Sequence, residues 1–264
     1  MDRKKRTRFI IICSIILVVL LVLIIITGGD KGEEEPIKTV MKDAVLHEEA
    51  RVNFLGIMTV NPAVISAYTV TGIVLVFALI VRFVFIPRFT FMPGRFQMLL
   101  EQAVGLFDSL ATSNSPHRHR FLGAYVFTAG AYIFTGTLFE LFGVMAPTVT
   151  GGAIALPAPL ADINGAISMG VISYCVIMSG GIAGNGFKGV LMTLKDFSLP
   201  ISMSFRLFGA LLSGALVTEL VYYYITTSFI IPVFVAVMFT MLHALIQAYV
   251  LTMLTALFYG EVSE

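Results

Sequence analysis

Thr71-Gly72-Ile73-Val74-Leu75-Val76-Phe77-Ala78-Leu79-Ile80-Val81 lies inside an apolar run from residue 63 to residue 86, in which Arg82 is the single charged residue. A helix needs about 20 such residues to cross the hydrocarbon core of a bilayer. Five further stretches meet that length, wholly or nearly: residues 9–27, 121–145, 165–183, 199–225 and 229–259. The last two exceed what a perpendicular span requires, so they are expected to be tilted or kinked. No fixed repeat is visible and the two halves of the chain are unlike, which counts against a transporter built from repeats. The expectation is an all-α integral membrane protein.

Composition says the same. Of 264 residues, 58% are hydrophobic and 12% are charged, with a mean hydropathy of +0.93; a soluble domain carries about 25% charged residues. This excludes a soluble enzyme, a disordered regulator and a nucleic-acid binder, and a net charge of +1 leaves no footprint for a polyanion. About half of the charged residues fall in the first 62 positions. Cys13 and Cys175 both sit in apolar runs and imply neither a disulfide framework nor a metal cluster. Trp is absent, so interfacial anchoring falls to 22 Phe and 9 Tyr.

Lys and Arg set the direction of the spans. Arg3-Lys4-Lys5-Arg6-Thr7-Arg8 places the N-terminus in the cytoplasm. The acidic segment 28–62 falls outside. Arg82, Arg88, Arg95, Arg118 and Arg120 mark an inside loop, residues 146–164 an outside one, Lys188 and Lys195 an inside one, and the uncharged turn 226–232 an outside one. Both termini are therefore predicted to be cytoplasmic. The first span is long for a secretory signal, and Thr27-Gly28-Gly29-Asp30 lacks a small-x-small cleavage site, so it reads as an uncleaved anchor. Residues 1–28 form a basic segment and anchor, and 29–62 a polar extracytoplasmic linker with a short surface helix over 37–51. In segment 93–107, Phe96, Leu99, Leu100, Val104 and Phe107 recur at helical spacing after Pro93. They predict an amphipathic helix along the cytoplasmic surface or against a partner.

An ionisable side chain at mid-bilayer costs at least about 2.5–3.5 kcal/mol, which makes Arg206, Glu219, His243 and Glu140 functional candidates. Gln247 is a polar companion, and Asp162 and Asn164 sit at the start of the fourth span. The rival reading for Arg206 is a snorkelling cation. Against it stand apolar flanks and the small residues Gly209, Ala210, Ser213 and Gly214, which open a surface for another helix. The rival for His243 is a satisfied buried histidine, but Gln247, four residues on, shares its helix face. Glu219 follows Arg206 by thirteen residues, about 20 Å along and about 220° around the helix, so the two form no single pair. Glu140, Asp162, Glu219 and His243 belong to the outer half. The inner half around Arg206 offers Ser202, Ser204 and Asn185. Two aqueous inlets at different depths, separated by a fixed positive charge, are inferred.

The motifs resemble the subunit a family of the F-type (F1Fo) ATP synthases. The likeness centres on Pro200-Ile201-Ser202-Met203-Ser204-Phe205-Arg206-Leu207-Phe208-Gly209 and on the segment from His243 through Gln247 to Thr255. Further support comes from Pro93-Gly94-Arg95-Phe96-Gln97, Leu138-Phe139-Glu140-Leu141-Phe142 and Ala161-Asp162-Ile163-Asn164. The resemblance implies five family spans, two of them long and tilted, to which this chain adds an N-terminal span and the surface-lying amphipathic helix. It makes residues 63–264 an ion-translocating membrane domain: a non-catalytic stator, without cofactors or metal, in a bacterial plasma membrane. Its implied partners are a c-subunit ring, b-type peripheral stalk subunits and other F1Fo subunits, within the lipid bilayer and without nucleic acid. Arg206 corresponds to the family's essential arginine and Gln247 to its neighbouring glutamine. Two half-channels would deliver H⁺, or Na⁺, to ring carboxylates. The chain departs from the family at Ala210, where many relatives have Asn. It departs again at Ala215, where an acidic residue is usual and Glu219 stands one turn further. At Thr240 a histidine is usual, and His243 stands about one turn nearer Gln247. The alternative reading is a proton-coupled secondary transporter using Arg206 and Glu219, with Gly180-Gly181-Ile182-Ala183-Gly184-Asn185-Gly186 as a broken-helix binding segment. That stretch is read here as a flexible inside loop instead.

Overall fold

A computed structural model describes residues 52–54, 58–91, 93–147, 153–223 and 231–263. A hairpin of β1 (Val52–Phe54) and β2 (Met58–Val60) leads into helix α1 (Pro62–Ile80), which continues through a π turn (Val81–Phe85) and a 3-10 turn (Ile86–Arg88). Helix α2 is Arg95–Asn114. Helix α3, His119–Phe139, ends in a 3-10 turn over Glu140–Phe142. A second antiparallel hairpin, β3 (Met145–Pro147) and β4 (Ala153–Ala155), precedes α4 (Ile163–Lys195), α5 (Ser198–Tyr223) and α6 (Ile231–Ser263). Five of these helical stretches are long and apolar enough to cross a membrane. The chain is an all-α integral membrane protein with two small hairpins at one end. The anchor at 9–27, the surface helix at 37–51, most of the linker and most of the turn at 226–232 lie outside the described residues.

Local chemistry sets the helix starts. Asn61 caps α1: its side-chain oxygen accepts from the Ala63 N–H at 3.0 Å, and Pro62 opens the first turn. Asp162 caps α4 in the same way, accepting from the Asn164 N–H at 3.1 Å. The Asn61 amide then donates to the Asp162 carboxylate at 3.0 Å, tying the two helix starts together. The expected surface helix is α2, displaced two residues beyond Pro93. Its apolar stripe divides. Phe107 and Leu110 turn into the main core, while Phe96, Leu99 and Val104 stay exposed.

The core sits around α6, which touches α2, α3, α4 and α5. Leu122, Val126 and Ile133 of α3, Ile177 of α4, Met203, Leu207 and Leu211 of α5, and Leu251 and Tyr259 of α6 are buried together. Glycines allow this closeness. A Cβ on Gly180 would stand 2.6 Å from the Tyr259 ring, and one on Gly130 would stand 2.7 Å from the Phe107 ring. Helix α1 is barely covered by the other described residues.

Helix α4 is not a straight rod. At Gly186 the backbone turns through φ 58°, ψ −133°, a conformation open to glycine, and the chain reverses. The Tyr174 hydroxyl donates to the Thr193 carbonyl at 2.9 Å. Nineteen residues of unbroken helix would hold those groups about 28 Å apart. Gly181 and Gly189 meet backbone to backbone across the fold-back. The expected loop at 180–186 is thus helix up to the reversal. Packing of Gly180 on Tyr259, and of Gly184 on the Ser263 backbone, overrides the low helix propensity of that stretch. The third span also ends earlier than expected, at Phe142, because Gly143 takes a left-handed conformation and Met145 enters a strand.

Candidate functional site

The fold-back carries the start of α5 inward. Gly170 packs against α5, where a Cβ would lie 2.8 Å from the Pro200 carbonyl and 3.3 Å from the Ser204 N–H. Gly170 is about 10 Å from the Asp162 end of α4 and about 24 Å from its reversal. Arg206, two residues past Ser204, therefore lies well inside the apolar layer. It is closer to the Asp162 end than to the basic end of the bundle, which corrects its expected place in the inner half. Snorkelling to the basic end is ruled out by that distance.

Within α5, Met203, Ser204, Leu207 and Leu211 are buried on one face, and Ser202, Arg206, Gly209 and Ser213 are exposed on the other. Arg206 forms no hydrogen bond or ion pair with a described residue. Of the small residues expected on the outward face, Gly209 and Ser213 flank Arg206. Ala210 and Gly214 are half-buried, and Gly214 turns toward α6, where a Cβ would stand 4.0 Å from Nδ1 of His243. The polar companions expected around Arg206 are also redistributed. Ser204 bonds its own helix at Pro200 (2.6 Å) beside Gly170, and the Asn185 amide donates to the Val262 carbonyl at 3.0 Å. Only Ser202 shares the arginine's face.

Gln247 lies on the buried face of α6 with Ala244, Ala248 and Leu251. It is 6% exposed and makes no hydrogen bond with a described residue. His243, one turn away, is half-buried. Its Nδ1 donates to the Phe239 carbonyl at 2.7 Å, and its ring stacks on Phe239 at 5.9 Å between centroids. Because a carbonyl can only accept, this bond leaves Nε2 as the nitrogen able to take up a proton.

His243 and Glu140 line one small cavity of about 10 Å³, together with Thr137, Gly214, Ala215 and Thr240. This is room for about one water. The small side chains of Ala215 and Thr240 stand there, at two of the three positions where the sequence departs from the pattern of the family it resembles. Glu140 arrives by way of the 3-10 turn that follows α3. Thr137 and Thr240 were not anticipated as lining residues. Their helix faces become decisive only once α3, α5 and α6 converge.

Asp162 and Asn164 do not join that cavity. They line a separate recess of about 300 Å³ between α1 and α4, with Tyr68, Thr71 and Ser168. Both carboxylate oxygens of Asp162 are engaged there, by the Asn164 N–H and by Asn61. Asn61 was missed as a partner, although Asn-Pro before an apolar run is a helix-start signal. The backbone of Glu219 lies in α5, one turn beyond Ala215, and its side chain is outside the described residues.

Residues 64–260 match the model of the ATP synthase A chain family. This chain belongs to the ATP synthase A chain family. The subunit named ATP synthase subunit a of Glaesserella parasuis serovar 5 (strain SH0165) is 25% identical over a stretch covering 63% of this chain and 75% of that protein. The protein of the same name from Histophilus somni (strain 129Pt) is 26% identical with the same coverage. The ATP synthase A chain match takes in all or nearly all of each of the five candidate spans, Arg206, Gln247 and the cavity around His243.

Proposed function

We propose that Arg206 is the fixed charge that separates two ion inlets and faces a moving carboxylate on a ring of c subunits. The chain itself is the membrane stator subunit of the Fo sector of an F-type ATP synthase, serving ion translocation. It works with the other subunits of that complex as a multi-pass membrane protein. A solitary proton-coupled transporter is not favoured by this membership.

One observation supports the role given to Arg206. A permanently charged guanidinium stands deep in the apolar layer, exposed, without a described partner, between Ser202, Gly209 and Ser213. Such a charge at mid-depth is costly unless something outside the chain meets it. A ring carboxylate does so. The guanidinium in turn favours its ionised form, so the ion is released on approach. The same charge repels a cation that would leak directly between inlets. Each unit charge driven through 100 mV yields about 2.3 kcal/mol, so such a leak would discard the gradient.

Glu140 and His243 then line the inlet on the Asp162 side, with Glu219 one turn beyond Ala215. Gln247 lies on the buried face of α6, one turn from His243. Asp162 and Asn164 serve the entrance on that side. H⁺ is the ion proposed; Na⁺ binding would require ligands supplied by the ring. The basic end, with Arg82, Arg118 and Lys188, faces the cytoplasm of a bacterial cell, and both termini lie there. Residues 63–264 form the translocating domain, 1–28 its added anchor and 29–62 the linker outside. The peripheral stalk is of b type.

The test is Arg206→Ala in the assembled complex. Ion-driven ATP synthesis is expected to disappear while the complex still assembles. Normal coupled synthesis would refute the assigned role.

A further inference from the structure

We propose that the recess at the start of α3 binds the phosphate of an anionic phospholipid. Four consecutive residues, His117, Arg118, His119 and Arg120, line a recess of about 670 Å³, to which Ser179 and Tyr259 add hydroxyls. Among the described residues, no acidic side chain lines it. Basic pockets between membrane helices on the cytoplasmic side suit anionic headgroups.

A second feature points to the same ligand. Arg118 occupies the N-cap position of α3 but makes no side-chain capping bond, so the first N–H groups of that 21-residue helix lack a side-chain acceptor. Unbonded N–H groups and the positive end of the helix dipole favour an anion at that place. The donors around it divide the work. Arg118 donates to the Ala183 carbonyl and His119 Nδ1 to the Pro116 carbonyl (2.9 Å), which hold the recess in shape. His117 and Arg120 are exposed and make no hydrogen bond with a described residue. They are therefore free to meet phosphate oxygens, with the planar guanidinium suited to two at once.

A soluble phosphate would meet the same donors, but the surroundings favour a lipid. The recess lies at the end of a membrane-length helix, where headgroups sit. Beside it, Phe121 and Ile182 are exposed by 56% and 52%, an apolar course for an acyl chain.

The assembled complex, stripped of lipid in detergent, would be given phosphatidylglycerol, phosphatidylcholine or inorganic phosphate. This chain would then be released in native mass spectrometry and its lipid adducts counted. Phosphatidylglycerol is expected to be retained in preference to phosphatidylcholine, and millimolar phosphate to leave it in place. Arg120→Gln should lower its retention about fivefold, the effect of removing one basic residue at a membrane surface, and Arg120→Lys should restore most of it. Equal retention in the wild type and Arg120→Gln overturns the proposal, as does equal uptake of phosphatidylcholine. Displacement by inorganic phosphate overturns it too, by assigning the recess to a free anion.

Discussion

Gly170→Ala probes the contact that sets the depth of Arg206. A Cβ at that position would stand 2.8 Å from the Pro200 carbonyl, 3.3 Å from the Ser204 N–H and against the Ser204 hydroxyl. The hydroxyl can rotate away, at the loss of its 2.6 Å bond to Pro200. The carbonyl is backbone and cannot. Restoring ordinary contact at 3.4 Å requires α4 and α5 to part by about 0.6 Å, an overpacking that costs about 1–3 kcal/mol. Arg206 rides on the same helix six residues further along. Misplacing a reacting group by about 1 Å can cost about 100-fold in rate, so a shift of this size should slow coupled turnover about tenfold. Gly170→Val should slow it more. The assay is ATP synthesis driven by an imposed proton gradient in vesicles, normalised to assembled complex. Gly72→Ala is the control, because nothing lies within 4 Å of a Cβ there. If Gly170→Ala and Gly170→Val both synthesise ATP at the wild-type rate, α4 and α5 do not meet at this point and the depth assigned to Arg206 fails with them.

Two further outcomes test the cavity and the capped ends. Glu140→Gln and His243→Ala should each reduce passive proton flux through the assembled complex. Because both residues line one cavity, the double variant should lose little more than the worse single one; unchanged flux in all three would make these residues structural only. Asn61→Ala should remove the cap of α1 and the link to Asp162, costing about 0.5–2 kcal/mol and lowering the melting temperature in detergent without altering flux. A fall in flux at unchanged stability would instead show that Asp162 needs the Asn61 amide to serve the ion entrance.

The membrane class and the helix order were legible because apolar length is a one-dimensional property. The runs at 63–86 and 229–259 declare themselves without reference to their neighbours, and their helices, with α1 extended by its two turns, differ from those bounds by a few residues. The reversal at Gly186 was not legible. A string of glycines lowers helix propensity, and nothing local says that Tyr259 and Ser263 will pack on Gly180 and Gly184 and hold the stretch helical. Depth suffered for the same reason. Counting residues along α5 gives the distance of Arg206 from the helix start, but not where that start lies relative to the other helices. Partition of the polar groups was also hidden. Asp162 and Glu140 look alike as outer carboxylates in sequence, yet one caps a helix and the other faces His243.

The fold-back also explains how this chain can hold a permanent charge inside an apolar layer. A helix entering from the cytoplasmic surface would need several apolar turns before Arg206, and its flexible side chain could still retreat toward the entry point. Here the chain turns at Gly186 and climbs back along its own preceding helix, with Tyr174 and Thr193 tying the two limbs. Helix α5 therefore begins at depth, and eight residues suffice to bring Arg206 to its place. The basic end is then too distant for retreat. The buried face of α5 is committed to Gly170, Leu251 and their neighbours. Turned from the basic end and from the buried face, the guanidinium lies on the exposed surface shared with Gly209 and Ser213. Widening the close contact at Gly181 and Gly189 attacks this arrangement without touching any charged group, so the depth of the arginine is a property of backbone packing rather than of the charged site itself.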